Sequence, residues 1–380
     1  MISIAQTLND LDIRMNYEEK TQKYSTWGDK LLQHTDVLHA IQYEDKFKPV
    51  TIQLALCEIC DSDCPFCSVA GRPLRSYIPW HKLTKMLDDF KTLGAKSVEI
   101  TGGGNPLLYR DREEKKDIND VIEYCGKLGF DVGIITNTER IDKKIKPEVY
   151  DYINWLRISL IKLDEGKEPE DYKFGDFPIN KLGFSYIIYD GTNGVPDALS
   201  RTNKPYVGTT VESIKKIARL IELNPEAKFC RIAGNALKKG AQIEIRDKFG
   251  PIVEEVDKLN KFFIKEIWDN DTPFNDGCYV GLIRPYIAPH PNGGDYQVYA
   301  CTSHVLEDRT YKLEFSLGSI DNVREIWNTC NLNYARFGYP YEVRGNKGND
   351  WCSACGSCFY NNNNKLLHTV AQEMPDRNFP

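Results

Sequence analysis

Between about residues 50 and 265 short apolar runs alternate with helical periodicities, and this alternation constrains the fold more than any other feature of the chain. Strand-like runs occupy 50–56, 97–101, 132–136, 155–160, 184–189 and 229–233. A helix between the first two carries Leu83, Met86, Leu87 and Phe90 on one face, with Gly94 placed to end it. A second spans 118–128. A third carries Val211, Ile214, Ala218 and Ile221, with Thr209 and Glu212 at capping-box spacing. Six such units predict an α/β fold, an open, partial (β/α)6 barrel with its helices outside and every strand's C-terminal end at one mouth. The expected organisation is an N-terminal helical extension over 1–48 with Tyr17, Tyr24 and Trp27, the partial barrel over 49–265, and a small cysteine-rich domain over 266–380. The stretch 190–208, rich in Gly, Pro, Asn and Thr, is long for a connection and reads either as a substrate-facing lid or as a plain surface loop.

Directly after the first strand comes Cys60-Asp-Ser-Asp-Cys64-Pro-Phe-Cys67. Three thiolates in one tight loop can hold three corners of a cubane iron–sulfur cluster and leave the fourth iron open to a small molecule. The gaps of three and two residues match neither ferredoxin spacing. A structural zinc site needs a fourth ligand; no His lies between Lys46 and Trp80, and Cys57 falls at the end of the strand pattern. The run Cys60-x3-Cys64-x-Phe66-Cys67 resembles the signature of the radical S-adenosylmethionine (SAM) enzymes. That resemblance implies a [4Fe-4S] cluster on Cys60, Cys64 and Cys67 whose free iron chelates SAM. It also implies reductive cleavage to a 5'-deoxyadenosyl radical that abstracts hydrogen from substrate, with Phe66 near the adenine.

Further SAM contacts follow from the same resemblance. The second strand ends in Gly102-Gly103-Gly104-Asn105, similar to the family's Gly-Gly-Glu motif but with Asn105 where an acidic residue often stands. Its backbone would contact the SAM amino group. Asn137 ends the third strand with a polar group directed at the mouth. Arg157 and Ser159 share one face of the fourth strand, because side chains repeat with period two, and the family uses such groups for SAM ribose or carboxylate. For Arg157 an internal pair with a carboxylate such as Glu99 stands as the alternative.

A second cysteine group lies beyond the barrel. Cys278 and Cys301 flank a hairpin signal at Asn292-Gly293, and Cys352, Cys355 and Cys358 follow a helix near 323–327. This resembles the Twitch/SPASM accessory domains of radical SAM enzymes. It implies one auxiliary [4Fe-4S] cluster on Cys278, Cys301, Cys352 and Cys355, with Cys358 able to replace either of the last two. Zinc is the rival occupant, since four thiolates suit both metals. Of the twelve cysteines, Cys125 and Cys230 read as buried small hydrophobes and Cys330 as structural.

The net charge of −6 gives no electrostatic footprint for nucleic acid, and no apolar run approaches the ~18 residues that span a bilayer. Residues 1–20 lack the positive start and apolar core of a signal peptide, which with the cysteine clustering points to a reducing, cytoplasmic setting. The expected partners are a small-molecule or peptide substrate and an electron donor such as flavodoxin or ferredoxin, without membrane or nucleic acid. The expected activity is a net oxidation or bond-forming modification of a small metabolite or protein side chain. A peptide maturase, a nucleic-acid-modifying radical SAM enzyme, and a non-catalytic zinc or redox scaffold are the competing readings.

Overall fold

A computed structural model describes residues 17–24, 28–191, 206–238, 241–265, 277–306, 308–338, 358 and 360–372. Its frame is one ten-stranded sheet. The strands are β1 (Thr51–Leu54), β2 (Ser97–Ile100), β3 (Asp131–Thr136), β4 (Ile153–Ser159), β5 (Leu182–Ile188), β6 (Cys230–Gly234), β7 (Phe262–Ile264), β8 (Tyr286–Pro289), β9 (Tyr296–Tyr299) and β10 (Ser316–Ser319). Their order is β10-β9-β8-β1-β2-β3-β4-β5-β6-β7. From β8 to β7 every neighbouring pair is parallel, and β9 and β10 add antiparallel at one edge. Among the described residues β7 and β10 do not pair, so the barrel is open.

All six strands read from the sequence are present, within two residues at each end. Alternation explains their division of labour: Ile52, Leu54, Val98, Ile100, Val132, Ile134, Leu156 and Ile158 are buried under the helices, while the odd-numbered residues between them face the barrel interior. Helix α3 (Trp80–Thr92) buries the expected Leu83, Met86, Leu87 and Phe90, and Gly94 follows its end at φ +97°. Helix α4 (Ile118–Lys127) buries Cys125 and starts on a capping box from Asp117 and Asp120.

Two elements were not legible. Strand β7 has only three residues, and the helix over Ala241–Val256 contains Pro251, whose missing N–H and bulky ring disguise a helical pattern. The cap of α5 (Val211–Leu223) is also displaced by one residue from the expected Thr209–Glu212 pair. Thr210 is the N-cap and accepts from the Ser213 amide at 3.1 Å. The hydroxyl of Thr209 is instead taken by the Tyr189 amide, 3.1 Å away.

Helix α1 (Tyr17–Tyr24) lies against the β7 edge. Lys20 Nζ donates to the Phe262 carbonyl at 2.7 Å and to Asn260 at 2.6 Å, and the Tyr24 ring packs on Phe229 with centroids 4.8 Å apart. Trp27 lies outside the described residues, as do 192–205 of the expected lid; its ends are joined by the Asp190–Gly208 bridge. No helix among the described residues is long and apolar enough to cross a membrane. At the other edge β8 pairs directly with β1, so residues 286–319 extend the barrel sheet itself. Helix α7 (Val323–Thr329) follows, and Cys330 is buried with its thiol donating to the Ile326 carbonyl at 3.1 Å.

Removing the α5 cap by Thr210→Ala is expected to cost about 1 kcal/mol, read as a lower urea midpoint. Thr209→Val, which leaves the cap intact, would lose only its bonds to Tyr189 and Tyr186.

Candidate SAM and metallocluster site

The loop carrying Cys60, Cys64 and Cys67 leaves the C-terminal end of β1, at the mouth of the barrel. All three thiols are free and half-buried, and they lie near enough to act on one another's charge. Burial pushes the Cys60 thiol up and Cys64 well up, in each case with a smaller counter-pull from Arg72. Among the described residues no three His, Cys, Asp or Glu side chains are gathered around a single metal-ion position. Three thiolates on one loop could each take a corner of a cluster, which offers each its own iron.

The loop is held from below by the glycine turn after β2. Gly102 and Gly103 adopt φ +83° and +63°, a conformation open to glycine but strained for other residues. The Gly104 amide donates to the Cys57 carbonyl at 2.8 Å and the Asn105 amide to the Ile59 carbonyl at 2.8 Å. A Cβ on Gly104 would run into the Ile59 backbone, so the turn and the cysteine loop touch main chain to main chain.

Asn105, which replaces an expected acidic residue, is the hub of this contact. Its Nδ2 donates to Asp61 (3.1 Å) and Thr138 (2.8 Å), while its Oδ1 accepts from Thr136 (2.7 Å) and the Leu107 amide (3.2 Å). A carboxylate there could not donate. Asn137 joins in: its Nδ2 donates to Ser62 at 2.8 Å and lies 3.8 Å from Cys60 Sγ. Its Oδ1 is buried without a hydrogen-bond partner. A ligand amino group would satisfy that acceptor, so the residues present fit SAM as well as the cluster.

Several further groups hold the loop, and two of them, Tyr311 and Lys162, reach it from 253 and 101 residues away. Arg72 Nε donates to the Glu58 carbonyl (2.9 Å), and its Nη1 to the Val69 carbonyl (3.0 Å) and Cys67 Sγ (3.4 Å). Glu58 also meets Arg72 in a buried ion pair at 3.7 Å and accepts from the Tyr311 hydroxyl at 2.9 Å. Burial nonetheless raises the Glu58 carboxyl to about 8. Lys162, nearly buried, ties Asp61 to Glu165 at 3.1 and 3.2 Å. Arg309 donates to the Pro65 carbonyl.

Of the other expected site residues, Phe66 is half-buried with its ring 5.3 Å from that of Tyr189. Ser159 ends β4 opposite Ser185. Arg157 faces the barrel interior over Trp155, 5.9 Å from the ring centroid. Glu99, the expected alternative partner of Arg157, is bonded to Arg284 at 2.7 Å and acts on Arg157 through its charge. In the second group, Cys278 and Cys301 are half-buried, and Cys358 is close enough to Cys301 to feel its charge. Cys352 and Cys355 lie outside the described residues.

An open parallel α/β barrel carries a three-cysteine loop at its mouth, backed by a glycine turn, an arrangement suited to an iron–sulfur cluster. The family model described as the Radical SAM superfamily matches residues 54–165, the stretch that carries the cysteine loop and the glycine turn, and this part of the chain is similar to that superfamily. A solved structure of SuiB from Streptococcus suis bound to S-adenosylmethionine shares the fold, with 15% identity and a TM-score of 0.50 over 95% of this chain and 86% of that one. The structure of native anSMEcpe with bound AdoMet and Cp18Cys peptide is 13% identical, with a TM-score of 0.48 over 85% of this chain and 99% of that one. A 190-residue stretch, 47% of this chain, is 24% identical to the acetyl-coenzyme A carboxylase carboxyl transferase subunit beta, chloroplastic, of Daucus carota. The chain covers only 38% of that protein.

Asn105→Ala removes four side-chain hydrogen bonds and is expected to cost about 2–3 kcal/mol in denaturant unfolding. Gly104→Ala should displace the cysteine loop, read as lower iron incorporation during anaerobic reconstitution with the overall circular dichroism retained.

Proposed function

We propose that this chain is a radical SAM oxidoreductase or modifying enzyme that abstracts hydrogen from a small metabolite or a protein side chain, with a net oxidation or bond formation. The observation that carries it is the charge-coupled trio Cys60, Cys64 and Cys67 on one loop at the barrel mouth. When bound there, a reduced [4Fe-4S] cluster supplies the electron for reductive cleavage of SAM and so a hydrogen-abstracting radical.

The protein's own groups hold, orient and shield. Arg72 donates to Cys67 Sγ and so offsets thiolate charge beside a buried loop. Asn137 Oδ1 accepts from the amino group of SAM, and the turn at Gly102, Gly103 and Gly104 gives the ligand close backbone approach. Ser159 would donate to its carboxylate or ribose, and Phe66, whose ring meets that of Tyr189, would pack near the adenine. The barrel wall excludes water from the reacting carbon.

The C-terminal cysteines would hold an auxiliary [4Fe-4S] cluster, which would supply an acceptor for the second electron of the oxidation. Its ligands come from Cys278, Cys301, Cys352 and Cys355, with Cys358 replacing one of the last two. The closeness of Cys358 to Cys301 favours that replacement. Thr302 and Tyr360, one residue beyond Cys301 and two beyond Cys358, line the interior cavity, which supports an acceptor beside the substrate. Residues 49–265 are then the catalytic barrel and 266–380 the accessory unit. Reduction comes from a flavodoxin or ferredoxin in the cytoplasm.

Anaerobic preparations should contain roughly eight irons per chain, falling to roughly four in Cys301→Ala. Cys60→Ala should abolish dithionite-driven release of 5'-deoxyadenosine, whereas Cys352→Ala should retain it. Zinc in place of iron, or deoxyadenosine release untouched by Cys60→Ala, would overturn the assignment.

A further inference from the structure

Inside the open barrel lies a cavity of about 1050 Å³ whose wall is unusually rich in cations. Arg157 from β4, Arg231 from β6, Lys265 just after β7 and Arg284 just before β8 all face it. Against these four stands Glu99 of β2, and its carboxylate is already engaged by Arg284 at 2.7 Å and by Gln53 at 3.4 Å. Nearer the N-terminal ends of the strands Asp131 accepts from Asn154 at 3.0 Å, while Lys23, Lys30 and Lys228 add further positive charge to the lining. Among the described residues lining the cavity, the carboxylate at the level of Arg157 and Arg231 is Glu99, and Arg284 already engages it.

Two of these guanidiniums lack the bonds that buried charge requires. Nε of Arg157 and Nε of Arg231 are buried with no hydrogen-bond partner among the described residues. Burial lowers the pKa of both; at Arg157 the Glu99 charge offsets part of this and Arg284 adds a smaller push down, while at Arg231 the push from Arg157 exceeds the offset from Glu99. Lys265 is lowered to about 7, first by burial and then by Arg231, Arg157 and Arg284. A protein interior holds neighbouring cations at a cost unless an anion joins them. Guanidinium is the side chain best matched to an oxyanion, which it grips through two parallel N–H bonds.

We propose that this cavity recognises an oxyanion of the substrate, a carboxylate or a phosphate bridged between Arg157 and Arg231; only the word substrate rests on the radical SAM reading above. The position suits that role. Arg157 stands two residues before Ser159 on the same strand face, about 7 Å below the barrel mouth. An anion held there anchors the far end of a small molecule and leaves its nearer carbons facing the mouth. The class selected is an anionic metabolite, or a peptide presenting an acidic group, over a neutral one.

The test is equilibrium dialysis of the anaerobically purified holoenzyme with radiolabelled inorganic phosphate and, separately, glutarate, at constant ionic strength set by chloride. Saturable binding of at least one is expected, weakened tenfold or more by Arg231→Gln and by Arg157→Gln and unchanged by Lys143→Gln on the exposed surface. Tighter phosphate points to a phosphorylated substrate, and tighter glutarate to a carboxylate. The proposal is overturned if the wild-type protein binds neither anion saturably, a result that needs no variant to fold, or if binding survives both arginine substitutions. SAM cleavage measured on the same wild-type preparation separates the two readings. Cleavage without anion binding rejects the anion site alone, and anion binding without cleavage rejects the enzymatic assignment alone.

Discussion

The structure depends on holding a cysteine-bearing loop deep at the barrel mouth while keeping its thiols unencumbered. A buried loop has backbone groups that must be satisfied, and helix or sheet cannot satisfy them here. Main chain from the β2 turn answers for Cys57 and Ile59, and the Arg72 guanidinium answers for Glu58 and Val69. Because these partners are glycine backbone and one branched cation, the loop is fixed from beneath and from one side. Its sulfur atoms meet this framework through Arg72 at Cys67 and Asn137 at Cys60.

The same economy explains why Asn105 serves where an acid was expected. Its amide donates and accepts at once, linking the cysteine loop at Asp61 to the end of β3 at Thr136 and Thr138. Asn137 repeats the pattern one residue beyond Thr136 through Ser62. Three consecutive strand ends are thereby tied into one polar layer. A fully bonded layer of this kind is rigid, and an incomplete bond within it marks a place for a ligand. Asn137 Oδ1 is such a place.

Much of this was legible from local pattern. The six strands announce themselves because parallel barrel strands are buried on their outer face and read as apolar runs. The cysteine loop, the glycine turn and Asn137 follow because each sits at a strand's C-terminal end, where a sequence reader knows to look. What escaped depends on distance along the chain. Glu58 and Tyr311 meet across 253 residues, and Glu99 meets Arg284 across 185. An alternating strand shows that Arg157 faces inward, but its neighbours come from strands whose register no periodicity encodes. The pairing of β8 with β1 was hidden for the same reason, since a hairpin signal does not say which edge the hairpin joins.

That pairing has a consequence for what can pass between the two groups of cysteines. Tyr286 of β8 lies level with Gln53 of β1, and Tyr299 of β9 lies opposite Tyr286. Cys301 therefore emerges at the end of the sheet opposite to the one from which Cys60 departs. The strand length between these ends is on the order of 10–15 Å at about 3.3 Å per residue. Hydrogen-bonded strands resist stretching, so this gap behaves as a fixed ruler and stays the same whichever molecule enters the barrel.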